Sequence, residues 1–176
     1  HPNLHIAVNV EVAEYLHNQL PDINIDCIPN GILVNNYDPN GEKIDIPLPS
    51  PIILGCGYMG DVKRFDLTIK AISKLEKGSL LLLGSGDQEK YLQQLGKKTL
   101  GERFLLMQVP YEKMAAYYRT VDLVTVPSLG ESFGMVYLEA MACNTPVVAT
   151  LDPNRKIIIE DAGELVDPTN IDEYAK

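Results

Sequence analysis

Apolar residues along this chain fall into short continuous runs separated by longer stretches in which they return every third or fourth position. The runs at Ile6–Val10, Ile23–Ile28, Pro51–Leu54, Leu80–Leu83, Arg103–Met107, Leu123–Val126 and Val147–Ala149 predict β-strands. The stretches Glu11–Leu20, Asp66–Leu75, Glu89–Lys98, Tyr111–Arg119 and Met135–Ala142 have helical spacing. Strands alternating with helices build a parallel, doubly wound α/β sheet with helices on both faces. The segment Asn35–Ser50, rich in Pro, Gly, Asp and Asn, is the long irregular stretch. After Ala149 the pattern weakens, and Glu173-Tyr174-Ala175-Lys176 reads as the opening of a helix.

The densest chemistry lies between the last two strong strand signals. Pro127-Ser128-Leu129-Gly130-Glu131-Ser132-Phe133-Gly134 leads into the helical stretch Met135–Ala142, which carries Glu139, and Asn144-Thr145-Pro146 leads out of it. This places Glu131 in a loop at the carboxyl edge of a parallel sheet, where ligands of such sheets bind. Gly130 and Gly134 open the backbone to close approach, and the unpaired amides at the helix start favour an anion such as phosphate. Carboxylates suit hydroxyls instead: Glu131 can accept from a polyol and Glu139 from two adjacent hydroxyls. An ordinary exposed glutamate is the plain alternative for each, but Glu139 sits among Tyr137, Leu138, Ala140, Met141 and Ala142, too apolar a setting for a surface helix.

The Glu131-to-Glu139 spacing, with its serine- and glycine-rich lead-in and the Asn144-Thr145-Pro146-Val147-Val148 exit, resembles the signature of the retaining glycosyltransferases of family four, group 1. The likeness is to their nucleotide-sugar donor-binding half, the C-terminal Rossmann-like domain of a GT-B fold. Ile28-Pro29-Asn30-Gly31-Ile32 is similar to that family's strand-ending turn, and Leu80–Leu83 with Gly84-Ser85-Gly86 to its strand and glycine-rich turn. Met114–Asp122 looks like the helix that precedes the signature. The resemblance implies transfer of a sugar from a nucleoside diphosphate sugar, with retention and without a metal or other cofactor. By the same analogy Glu131 orients sugar hydroxyls and Glu139 holds the ribose. Phe133, Gly134, Met135 and Val136 contact phosphate or sugar. Gly84 and Gly86 either line the nucleotide pocket or form a bare structural turn, and main-chain contacts to the base are expected near Val109. The glutamates are then not the acid and nucleophile of a glycosidase.

Gly55-Cys56-Gly57-Tyr58-Met59-Gly60 fits a dinucleotide glycine fingerprint, which would make this an oxidoreductase domain. The fingerprint also expects an acidic residue roughly 20 positions on, at the next strand end. That strand ends at Gly84-Ser85, with Glu76 before it and Asp87 after it. Gly57–Asp66 instead resembles the family's first helix entry, which makes Lys63 the cation that meets the donor diphosphate as a catalytic residue. The family has arginine where this chain has Tyr58, so the second cation is missing there. Arg64 falls where the family often has glycine and is read as a solvated residue.

With 176 residues and 45% hydrophobic content, one domain is expected over residues 1–176. The resemblance makes it the donor-binding half, with an N-terminal acceptor domain absent. The start at His1-Pro2-Asn3 has neither an initiator methionine nor a signal-peptide pattern and reads as a fragment boundary. A formal charge of −9 argues against nucleic acid as a partner, since counterion displacement needs basic surface. No run approaches the roughly 18 apolar residues of a membrane span, which leaves peripheral contact of a fuller protein open. Cys27, Cys56 and Cys143 lie in or beside apolar elements and are expected as buried, reduced thiols, consistent with a cytoplasmic setting. His1, His5 and His17 have no zinc-like spacing to cysteines, so no metal site is expected. A non-catalytic nucleotide-binding module of the same fold stays open beside the transferase and the oxidoreductase.

Overall fold

The computed structural model describes residues 4–176; the opening His1-Pro2-Asn3 lies outside them. The chain runs β1 (Leu4–Ala7), α1 (Val10–Gln19), β2 (Asn24–Cys27), β3 (Ile52–Cys56), α2 (Phe65–Ser73), β4 (Ser79–Leu83), α3 (Glu89–Leu100) and β5 (Phe104–Met107). It continues through α4 (Met114–Thr120), β6 (Leu123–Val126), α5 (Met135–Ala142), β7 (Val147–Thr150), α6 (Pro153–Ile159), β8 (Gly163–Val166) and α7 (Ile171–Tyr174). Six strands form one parallel sheet in the order β5-β4-β3-β6-β7-β8.

The apolar runs account for this sheet. Every residue of β3 and β4 is buried, as strands covered by helices on both faces require. Leu54 lies opposite Leu81 on one side and Val124 on the other, and all three are fully inaccessible. On α3, Leu92, Gly96 and Leu100 form the buried stripe. Gly96 is needed there, because a Cβ would sit 2.4 Å from the Phe104 ring.

Strand order reverses between β3 and β6, so the loops leaving them diverge and open a crevice at their carboxyl ends. That is where the candidate residues lie.

Three features differ from the sequence reading. The first two strands do not join the main sheet: β1 and β2 pair with each other in a separate parallel ribbon backed by α1. Periodicity predicts a strand but says nothing of which sheet accepts it. This ribbon buries Ala7, Ala13 and Ile25 but leaves Leu4, Ile6 and Ile28 exposed. Cys27, the last residue of β2, is exposed rather than buried although it shares a strand face with the buried Ile25, because burial on that face does not extend to the strand end; Cys56 and Cys143 are buried as expected. Beyond Ala149, where the pattern is weak, the chain still adds α6 and β8 to the main sheet. The start signal of α6 is present, with Asp152 capping the amide of Arg155 at 2.8 Å and Pro153 in the first turn.

The cysteines give a direct check. Burial pushes the Cys56 thiol up to about 12 and raises that of Cys143. Iodoacetamide at pH 8 should therefore label Cys27 in the folded protein while Cys56 and Cys143 react only after denaturation. Peptide mass spectrometry showing native labelling of Cys56 would contradict this packing.

Candidate functional site

Two glycine turns form the floor of the crevice. Gly57 and Gly84 have φ of 133° and 147°, a region that favours glycine. Their backbones touch: a Cβ on Gly84 would lie 2.0 Å from the Gly57 carbonyl oxygen. The amide of Gly57 bonds Leu83 O at 3.0 Å and that of Met59 bonds Ser85 O at 2.9 Å, locking the turns after β3 and β4 together. They floor a cavity of about 470 Å³, walled on the other side by Val109, Tyr111, Tyr118, Met135, Val136 and Glu139.

Glu139 is only 4% exposed, yet its carboxylate faces this cavity. On helix α5 it is buried along with Tyr137 and Ala140. The buried charge is compensated by hydrogen bonds. The Tyr111 hydroxyl donates to Oε1 at 2.8 Å and the Tyr118 hydroxyl to Oε2 at 2.7 Å. Burial raises the Tyr118 phenol strongly, so it remains a donor.

A second cavity of about 200 Å³ adjoins the first and shares Met135 and Val136 with it. Lys63, Glu131, Phe133, Gly134 and Asn30 line it. Lys63 occupies a short turn, Asp61–Lys63, ahead of α2 rather than the helix itself. Its amine pairs with Glu131, both side chains about one-fifth exposed. The pairing follows from backbone anchoring: Val62 O accepts from Leu129 N at 3.1 Å and from Ser128 Oγ at 3.3 Å, holding the two loops side by side. Gly134 has φ of 90°, and a Cβ there would meet the Tyr137 ring at 2.7 Å. The first-turn amides of Met135 and Val136 have no earlier helix carbonyl to bond, so they are free to meet an anion.

Residues 36–176 match the family described as glycosyl transferases group 1. The chain belongs to that family. It is 36% identical over 163 residues to a D-inositol 3-phosphate glycosyltransferase of Xylanimonas cellulosilytica, covering 81% of this chain and 39% of that protein. It is 31% identical over 188 residues to the enzyme of that name from Mycolicibacterium smegmatis, covering 97% and 43%. The chain thus spans about two fifths of the length of these curated relatives. Its fold is similar to that of sucrose-phosphate synthase from Thermosynechococcus elongatus, with TM-score 0.82, 27% identity, and coverage of 99% and 48%. It is also similar to Anabaena HepE in complex with UDP and glucose, with TM-score 0.78, 21% identity, and coverage of 98% and 51%.

In this group 1 chain most of the sequence-nominated residues converge. Glu131, Lys63, Phe133 and Gly134 line the smaller cavity, Glu139, Gly84 and Val109 the larger, and Met135 and Val136 both. Gly86 is not among the lining residues; it is packed against Met59, whose carbonyl oxygen a Cβ would meet at 2.7 Å. Arg64 stays apart, its guanidinium on Asp66 at 3.1 Å. Its φ of 51° explains why glycine suits this position. Tyr58 reaches the larger cavity, but its hydroxyl donates to Asp87 at 2.8 Å. The dinucleotide reading is not favoured: residues 57–64 separate β3 from α2, so the glycine turn does not open directly onto a helix.

The sequence reading missed several supporting residues. Asn9 caps α1 through Val12 N at 2.8 Å and donates its amide to Ser132 O, tying the first ribbon to the Glu131 loop. Arg155, 2% exposed, donates to Ser128 O at 3.2 Å and pairs with Asp152, bracing that loop from behind. Tyr37 comes from the irregular Asn35–Ser50 segment, which carries no periodic signal, and Tyr111 opens the predicted Tyr111–Arg119 helix, where nothing in the spacing marks its hydroxyl as a partner of Glu139. Among the described residues no group of three or more His, Cys, Asp or Glu could hold a metal ion, and no helix is long and apolar enough to cross a membrane.

Proposed function

We propose that the protein transfers a sugar from a nucleoside diphosphate sugar to an acceptor, with retention of configuration, and that this chain supplies the donor-binding half. The observation that carries the reading is the adjacency of two cavities. One presents the buried carboxylate Glu139 and the other the Lys63–Glu131 pair, with the start of α5 between them. A nucleoside fits the first, with its ribose hydroxyls on Glu139. The diphosphate then crosses the free amides of Met135 and Val136, and the sugar enters the second beside Glu131. The UDP complex of HepE supports this reading.

Chemistry follows from charge. As the bond from sugar to phosphate breaks, negative charge grows on the diphosphate, and fixed amides with Lys63 stabilise that charge more than the ground state. Lys63 can serve the phosphate without leaving Glu131, since an ammonium carries further protons to donate. Glu131, held by Lys63, accepts from sugar hydroxyls and orients the reacting carbon. No step requires a metal ion.

The relatives' greater length supports a second domain, which we assign to acceptor binding. The β1–β2 ribbon supports it as well. A two-stranded parallel sheet has two unpaired edges and is poorly stable alone, and Leu4, Ile6 and Ile28 lie uncovered on this one. A cytoplasmic setting matches the free thiols.

Titration with uridine, guanosine and adenosine diphosphates, beside nicotinamide dinucleotides, tests the binding reading. One nucleoside diphosphate should bind well ahead of the dinucleotides. Incubating the full-length protein with the matching nucleotide sugar should release that diphosphate in the presence of acceptor. Preference for a nicotinamide dinucleotide would overturn the assignment.

A further inference from the structure

Glu139 belongs to a longer hydrogen-bond chain than ribose binding alone requires. A phenol has a single proton. Tyr111 gives its proton to Glu139 Oε1, so the Tyr37–Tyr111 hydroxyl contact of 2.7 Å has Tyr37 as donor. Tyr118 likewise gives its proton to Oε2, so the contact of 3.4 Å with Cys56 Sγ has the thiol as donor. Burial raises that thiol, so it keeps a proton to give. Every proton in the chain therefore points toward Glu139, from two sides and from different parts of the fold.

Such an arrangement fixes the carboxylate plane. Each oxygen of Glu139 already accepts from one phenol, which leaves each a remaining lone pair in a set direction beside the cavity. Two neighbouring acceptors held this way match a pair of vicinal hydroxyls. A freely turning carboxylate could follow whichever hydroxyl is present, whereas a fixed one leaves an acceptor unmet when either hydroxyl is lost. Tyr37 extends the arrangement outward. It lies in the Val34–Tyr37 turn, is buried, and packs its ring at 6.3 Å and 47° against Tyr118.

We infer that Tyr111 and Tyr118 are positioning residues that set Glu139 to select ribose over deoxyribose, and that Tyr37, from the segment ahead of the main sheet, holds Tyr111 in place. The inference rests on the reading of Glu139 as the ribose acceptor.

Calorimetry on the full chain tests it, using the tightest-binding of uridine, guanosine and adenosine diphosphate together with its 2′-deoxy counterpart. The unaltered protein should prefer the ribonucleotide by about tenfold or more. Tyr111→Phe and Tyr37→Phe should each shrink that ratio several-fold, mainly by weakening the ribonucleotide. Tyr118→Phe should do the same, but it alters a buried site, so the exposed Tyr111 is the deciding position. A folded Tyr111→Phe variant with an unchanged ratio would overturn the positioning role while leaving ribose binding intact. An unaltered protein that binds both nucleotides equally would overturn the ribose reading, and the inference with it.

Discussion

Lys63→Ala should lower affinity for a nucleoside diphosphate by about 10- to 100-fold while changing affinity for the matching nucleoside by less than about twofold. The amine lines the smaller cavity and pairs there with Glu131, where partial burial limits screening. A diphosphate feels that charge at close range; an uncharged nucleoside in the neighbouring cavity does not. Tyr58 makes the dependence sharper. It stands where the resembling pattern has a second cation, and its hydroxyl is engaged with Asp87, so Lys63 has no basic neighbour among the residues lining its cavity. The preference for diphosphate over nucleoside should also shrink as salt rises, and the variant should keep little of that salt dependence. Isothermal calorimetry at several ionic strengths measures both effects. Equal losses for the two ligands would mean that Lys63 supports the loop rather than the phosphates.

Glu139→Ala should weaken nucleoside and nucleoside diphosphate alike, by about 10-fold or more, because both carry the ribose. This pattern is the opposite of that for Lys63 and separates the two cavities. The structure adds a cost in stability. Removing the carboxylate leaves the buried Tyr118 hydroxyl and the Tyr111 hydroxyl without their acceptor, which destabilises by about 1–3 kcal/mol for the buried group. Glu139→Gln should fall between, since its amide group offers one phenol an oxygen and faces the other with a donor. Denaturant unfolding paired with calorimetry resolves the two effects, and a folded alanine variant with full affinity would remove Glu139 from the site.

The reason Glu131 and Glu139 were legible in the sequence lies in how locally their chemistry is written, whereas Lys63, far from them in the chain, was named by the family resemblance alone. Two glutamates, two glycines and a helix start occur within one short segment, and the strand signals on either side fix its place at the sheet edge. The central strands were equally plain, because β3 and β4 are buried on both faces and must be apolar throughout. What tertiary structure alone decides was not legible. Tyr118 reads as a core residue of an apolar helix, and only folding brings its hydroxyl to Glu139. Arg155 reads as a surface charge until α6 lays it beneath Ser128. The separation of β1 and β2 from the main sheet is set by chain path, to which period-two alternation is blind. The same holds for Cys27, whose exposure follows from that separation.

The central claim is that the two adjoining cavities form one donor site, and a crystal structure of the protein with its preferred nucleoside diphosphate tests it most directly. The account predicts the ribose hydroxyls on the Glu139 carboxylate and the phosphates over the amides of Met135 and Val136. It also predicts a terminal phosphate oxygen within hydrogen-bond reach of the Lys63 amine. A nucleotide bound elsewhere, or one seated in the larger cavity with its ribose turned away from Glu139, would contradict it.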